Sequence, residues 1–171
     1  MKLSIVIPTY KRTDNSTPFY LKRALDCVFN QTHQDFIIYI IGDKYEDDVE
    51  FTNICQSYDQ NKIYFENLPF AKERDKYEKG WTLWSYGGVN ATNHGIKKSL
   101  EDGYHYICHL DHDDEWLPNH LEVINDCINK TNADWICTKS IYLQPDKTMP
   151  VINGEINGFM DLFHFYLVTQ N

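Results

Sequence analysis

Tyr104-His105-Tyr106-Ile107-Cys108-His109-Leu110-Asp111-His112-Asp113-Asp114-Glu115-Trp116 is an apolar run that ends in three aspartates within four residues. Residues 104–110 read as a strand, and the aspartates then stand where that strand leaves its sheet. In open α/β sheets the carboxyl edge is where ligands bind. Carboxylates this close repel one another, which favours a cation or another charge-neutralising partner. Magnesium or manganese held by one or two carboxylates, with substrate phosphates completing the shell, fits such a cluster. The plain alternative is a solvated acidic turn ahead of a helix, since Asp and Asn are common helix caps.

Working back from this stretch, residues 3–7 form a continuous apolar run rich in β-branched side chains, the pattern of a strand covered on both faces. Apolar residues at helical spacing then fill 19–29, with Pro18 placed to start the helix. A second buried-type strand covers 36–41 and ends at Gly42-Asp43; a helix over 47–58 and a short strand over 63–65 follow. The order β-α-β-α-β predicts a parallel sheet with right-handed crossovers. Residues 68–84 break the rhythm with mixed charge, Pro69, Gly80, Trp81 and Trp84, the mark of a functional loop or of a surface excursion. A helix is expected over 89–100, the aspartate-bearing strand over 104–110, a helix over 118–128 and a strand over 135–143. Residues 150–171 show no clear period, and neither a repeat nor a linker divides the chain. One α/β domain is expected over 1–171, with a ligand-binding half to about residue 115 and the start of a second half from 116 onward.

At 171 residues, 42% hydrophobic and 15% aromatic, the chain can bury a real core. A formal net charge of −9 disfavours nucleic acid and anionic membranes as partners, though not a phosphorylated substrate. Five cysteines form no CxxC pair and their number is odd, which speaks for reduced thiols rather than a disulfide framework. The N-terminal apolar stretch is too short for a signal peptide, and no run approaches a membrane span. A soluble, cytoplasmic protein is expected, touching a membrane only through an acceptor.

In a parallel sheet Pro8-Thr9-Tyr10, Gly42-Asp43 and Asp111 to Asp114 converge on one edge. An aromatic, a carboxylate and a metal site in that order suit a nucleoside diphosphate. The aromatic stacks on the base, the carboxylate accepts from a base N–H or a ribose hydroxyl, and the metal bridges the phosphates.

The motifs carry a resemblance. Ser4-Ile5-Val6-Ile7-Pro8-Thr9-Tyr10-Lys11-Arg12, Leu21-Lys22-Arg23-Ala24-Leu25, Gln31-Thr32-His33-Gln34-Asp35-Phe36, Asn93-His94-Gly95-Ile96 and Leu110-Asp111-His112-Asp113-Asp114-Glu115-Trp116-Leu117-Pro118 resemble, in order, the family 2 glycosyltransferases of GT-A fold. The resemblance covers roughly the first 145 residues. It implies a Rossmann-like, mainly parallel open sheet and transfer of a sugar from a nucleoside diphosphate donor, most often UDP-linked. Mn2+ or Mg2+ would assist, and the acceptor would be a hydroxyl of a glycan, lipid or protein. Pro8, Thr9, Tyr10 and Arg12 would line the base and ribose pocket, and Asp43 would read the base. Asp113 would bind the metal directly and Asp111 would touch ribose or metal water. Arg74 would approach the diphosphate, and Asn93 falls in the Asn-x-Gly helix-start motif. Asp114 is a third candidate carboxylate.

The chain also departs from that pattern. No late acidic motif supplies a general base, Asp161 having no supporting context, and Ala91-Thr92 stands where an arginine often precedes Asn-x-Gly. Three explanations stay open: a donor-binding part of a longer protein, a reduced acceptor half, or a retaining mechanism. Inversion is the family's usual outcome. The rival readings are a metal-dependent hydrolase built on His109, Asp111, His112 and Asp113, and a donor-binding domain with little catalysis of its own. A nucleotidyltransferase is disfavoured because residues 8–18 contain no glycine, and oligomeric state does not read out of the sequence.

Overall fold

The computed structural model describes residues 1–77 and 80–138, with the backbone of 143–144 and 147–148. Chain order is β1 (Leu3–Thr9), α1 (Thr17–Phe29), β2 (Phe36–Gly42), α2 (Asp48–Gln56), β3 (Ile63–Asn67), α3 (Trp81–Tyr86), α4 (Val89–Glu101), β4 (Ile107–His109) and α5 (His120–Thr131). A short antiparallel pair follows, β5 (Leu143–Gln144) with β6 (Lys147–Thr148). Strands β1 to β4 form one sheet in the order β3-β2-β1-β4, and every pairing in it is parallel.

Hydrophobic burial sets this architecture. All seven residues of β1 are buried, as expected of a strand covered on both faces. Leu3, Ile5 and Ile7 join Leu21, Ala24, Leu25 and Val28 of α1, Phe51, Ile54 and Cys55 of α2, and Leu121, Ile124 and Ile128 of α5 in the main core. On the other face α4 lies across β1 and β2, with Ser99 Oγ donating to Ser4 Oγ at 2.6 Å. Gly95 permits that approach, because a Cβ there would stand 2.6 Å from Val6 Cγ1. Gln31 then ties α1 to α5: its Nε2 donates to the Leu117 carbonyl at 2.8 Å and its Oε1 accepts from the Leu121 N–H at 2.9 Å.

Three expectations need correction. The strand expected over 104–110 is shorter, Ile107–His109, flanked by bonds of the Tyr106 carbonyl and Leu110 N–H to β1, because the Tyr104 N–H is used by the Ser99 carbonyl to close α4. Residues 135–138 of the strand expected over 135–143 are not a strand; Ile136 packs against the core without ladder pairing, so apolar pattern there marks burial alone. The rest of that segment up to residue 142 lies outside the described residues, as do Asp161 and the 150–171 tail. Asn93-His94-Gly95-Ile96 sits in the middle of α4 rather than at its start, since the helix begins at Val89 after a left-handed Gly88 (φ 79°). The irregular stretch also holds α3, unforeseen from its composition.

Strand order decides where a ligand can go. The sequence of connections runs outward through β1, β2 and β3 and then reverses to place β4 on the far side of β1. The crevice between the ends of β1 and β4 is therefore the topological switch point, the usual binding place in such sheets.

Candidate active site

At the end of β2, Asp43 is 1% exposed, and its backbone N–H donates to the Thr9 carbonyl at 2.7 Å, joining the ends of β1 and β2. Arg74 comes from the irregular segment to meet it. Its Nε donates to Asp43 Oδ2 at 3.1 Å, its Nη1 to Glu46 Oε1 at 3.0 Å, and its Nη2 to the Asp43 and Lys44 carbonyls. The same guanidinium lies over the Tyr10 ring, 4.9 Å from its centroid. Asp43 Oδ1 is left buried without a hydrogen-bond partner, and so is Thr9 Oγ1. Burial pushes the Asp43 carboxyl above its ordinary range, while the hydrogen bond and charge of Arg74 pull it back. Arg74, expected near a diphosphate, is thus held at the end of β2 by Asp43 and against Tyr10.

At the end of β4, His109 Nε2 pairs with Asp111 Oδ1 at 3.0 Å. Arg12 Nη1 donates to Asp113 Oδ2 at 3.0 Å, which places the guanidinium at the end of β4. Arg23 of α1 holds the loop's shape: Nη2 donates to the Asp113 carbonyl at 2.6 Å, and Nε stands 2.8 Å from Glu115 Oε1. Partial withdrawal from water, then the charges of Asp111 and Asp113, push the Asp114 carboxyl upward.

His112, which the rival hydrolase reading makes a metal ligand, is 6% exposed. Its ring is hydrogen-bonded to the Pro8 backbone and meets Tyr10 edge-on at 5.5 Å. Burial lowers its pKa against the opposing charges of Asp113 and Asp111, which favours the neutral imidazole with one donor and one acceptor nitrogen. The Pro8 carbonyl takes the donor, which leaves the unpartnered Nε2 as a buried acceptor. No signal in the sequence separates this histidine from a solvated one, because its burial depends on the loop folding back over β1.

Glu73 was also beyond the sequence reading. It is 7% exposed, accepts from the Asn90 backbone N–H, and so caps α4, whose N-cap is a glycine with no side chain to do so. Burial pushes its carboxyl up, and its Oε2 has no partner. Asn93 lies part-buried one turn into α4.

The described site therefore brings together Pro8, Thr9, Tyr10, Arg12, Asp43, Arg74, Asp111 and Asp113 around the ends of β1, β2 and β4. Among the described residues no three His, Cys, Asp or Glu side chains form a ready-made metal cage. The Asp111 and Asp113 carboxylates are nonetheless hard oxygen donors, 50% and 43% exposed. That donor set fits a cation such as Mg2+ or Mn2+, which draws its remaining ligands from phosphate and water.

Residues 4–154 match the sequence model of the family described as Glycosyl transferase family 2. The chain belongs to glycosyl transferase family 2. An uncharacterized glycosyltransferase of Acanthamoeba polyphaga mimivirus is 37% identical over 155 residues, covering 88% of this chain and 62% of that protein. The amylovoran biosynthesis glycosyltransferase AmsB of Erwinia amylovora is 28% identical, covering 71% of this chain and 34% of AmsB. The succinoglycan biosynthesis protein ExoW of Rhizobium meliloti is 29% identical, covering 78% of this chain and 36% of ExoW. This family 2 chain thus spans about three fifths of the viral relative and about a third of the two bacterial ones. In structure it is similar to S. aureus TarS, with a TM-score of 0.54 and 17% identity over 76% of this chain and 20% of TarS, a likeness of fold. The α/β sheet is of the GT-A kind expected from the motifs. Among the described residues no helix is long and apolar enough to cross a membrane.

Proposed function

We propose that this family 2 domain binds a nucleoside diphosphate sugar, UDP-linked in the simplest case, together with Mn2+ or Mg2+, and transfers the sugar to an acceptor hydroxyl. One observation carries the reading. Thr9 Oγ1, Asp43 Oδ1 and His112 Nε2 are buried without partners around the switch point, next to the Asp111–Asp113 pair. Buried polar atoms ordinarily have partners, so a cluster of orphans at one edge marks where a polar ligand completes them. Asp43 Oδ1 would accept a base N–H, while Arg74 offsets part of the burial that raises its pKa and aims the carboxylate. His112 Nε2 and Thr9 Oγ1 are suited to ribose hydroxyls, and Tyr10 walls the pocket between Arg74 and His112.

Asp113, with Asp111 beside it, would hold the divalent cation. When bound, that ion supplies Lewis-acid stabilisation of the charge that grows on the leaving diphosphate. The chain's own part is to fix the donor: Asp43 orients the base, and Arg23 holds the Asp113 loop in shape. Residues 1–115 form the donor half in this reading. An inverting reaction also needs a carboxylate to take the acceptor's proton; the described residues offer none in that role. The family's usual outcome favours inversion. The names of AmsB and ExoW, which speak of amylovoran and succinoglycan biosynthesis, favour a glycan acceptor. The hydrolase reading is weaker, since His109 is turned onto Asp111 and His112 onto Pro8 and Tyr10, so the two imidazoles do not converge.

The test is calorimetric titration of UDP, GDP and their sugars, each with and without Mn2+. Metal-dependent binding of one nucleotide family is expected, and Asp113→Ala should remove the metal dependence. Equal affinity with and without the metal, in the wild type and the variant alike, overturns the metal assignment. No binding at all overturns the donor site.

A further inference from the structure

Two arginines hold the Asp113 region, and they do so differently. Arg23 bonds the Asp113 carbonyl and pairs with Glu115, so it shapes the loop without occupying the Asp113 carboxylate. Arg12 takes one of that carboxylate's oxygens, at 3.0 Å. The neighbouring cations are engaged elsewhere. Lys11 lies 3.2 Å from both Asp47 and Glu50, and Arg74 is held by Asp43 and Glu46.

Arg12 is also built to move only its side chain. Its backbone N–H donates to Thr17 Oγ1 at 2.9 Å, and that hydroxyl donates to the Tyr10 carbonyl at 3.0 Å, pinning the loop after β1 to the start of α1. The guanidinium itself lies 5.6 Å from the Tyr20 ring centroid and is 35% exposed, against 43% for Asp113. A pair so open to water is weak and exchanges readily.

We propose that Arg12 is an exchangeable counter-ion. It neutralises Asp113 in the free domain, releases that carboxylate when a divalent cation arrives, and turns to the diphosphate of the donor. The inference rests on the reading that Asp113 takes the metal. Its physical basis is simple: a guanidinium and a dication compete for one carboxylate. The displaced planar fork then matches the phosphate oxygens that enter with the metal. Arg12 thus opposes binding of the metal alone and favours binding of metal and nucleotide together, which keeps the acidic loop selective for the loaded donor.

The experiment titrates Mn2+ alone, and UDP in saturating Mn2+, into the wild type, Arg12→Gln and Arg12→Lys. Arg12→Gln should bind Mn2+ alone about twofold to fivefold more tightly, because the weak competing pair is gone. It should bind UDP in saturating Mn2+ about tenfold more weakly, because a charge-assisted phosphate contact is lost. Arg12→Lys, which keeps the charge and guards against a folding defect in the first variant, should shift both affinities in the same two directions by less. Opposite signs are the signature, since a purely structural role weakens both. Shifts of the same sign, or no shift in either variant, overturn the proposal with the donor site intact. A wild type that binds UDP without regard to Mn2+ overturns the metal reading itself, and this inference with it.

Discussion

At Asp43, burial and an ion pair pull in opposite directions. Burial raises the carboxyl's pKa above its ordinary value, and Arg74 lowers it without fully restoring it. With the folded pKa raised, the protonated form is favoured in the folded state, so this group's contribution to stability grows as pH falls and is lost as pH rises. Ligand binding runs the other way, because a proton on Asp43 blocks the oxygen that would accept a base N–H. UDP affinity of the wild type should therefore fall as pH is lowered through that raised pKa. Asp43→Asn should bind UDP about tenfold more weakly near neutral pH. The gap between the two proteins should close on acidification; a constant gap across a calorimetric pH series removes Asp43 from the base contact. Thr9, Tyr10, Asp43, Asp111 and Asp113 could be picked out of the sequence because each ends or follows a strand. Arg74 could be named from its place in the irregular segment, but its partner could not: it holds Asp43. His112 and Glu73 carried no local signal, since their burial is imposed by segments distant in sequence.

Helix α4 shows how one element sets the site's dimensions. Gly95 lets the helix lie against β1 and β2, where a Cβ would stand 2.6 Å from Val6 Cγ1 and 3.1 Å from Ile41 Cγ1. Both neighbours are β-branched side chains in the interior and cannot swing aside. Gly95→Ala should therefore destabilise the fold by about 1–2 kcal/mol, overpacking outweighing alanine's better helix propensity of about 1 kcal/mol. Urea denaturation checks this, and unchanged or increased stability would show that the helix can lift at no cost. A lifted α4 would also move its Glu73-capped end, which lies near Pro8 through Gly88, so UDP affinity should drop in the same variant. At this scale the periodic elements were readable in kind: α1, α2, α4, α5 and the first three strands fall where apolar spacing placed them. The failures were at 104–105 and 135–138, which the ladder leaves out: the Tyr104 N–H closes α4, and Ile136 packs against the core.

Across the whole molecule, the cores on both faces of the sheet are made of side-chain burial alone. Chelation should consequently leave the unfolding temperature unchanged, whereas saturating Mn2+ and UDP should raise stability by about 2.7 kcal/mol at a hundredfold excess over Kd. Thermal unfolding with a chelator, and with both ligands, separates the cases; cooperative unfolding on chelation would make the metal structural.

What the sequence by itself determined was the α/β class, the parallel order of its first three strands, the family, and the stretch carrying the acidic loop. Each of these is written in local periodicity or in a contiguous motif. Only the tertiary structure decided that β4 lies beside β1, that Arg74 holds Asp43, that Arg12 holds Asp113, and that His112 faces Pro8 and Tyr10. Those are contacts between residues 31 or more positions apart, up to 104 between Pro8 and His112. A chain's local pattern fixes which face of an element is apolar, but which distant charges meet depends on how the elements stack.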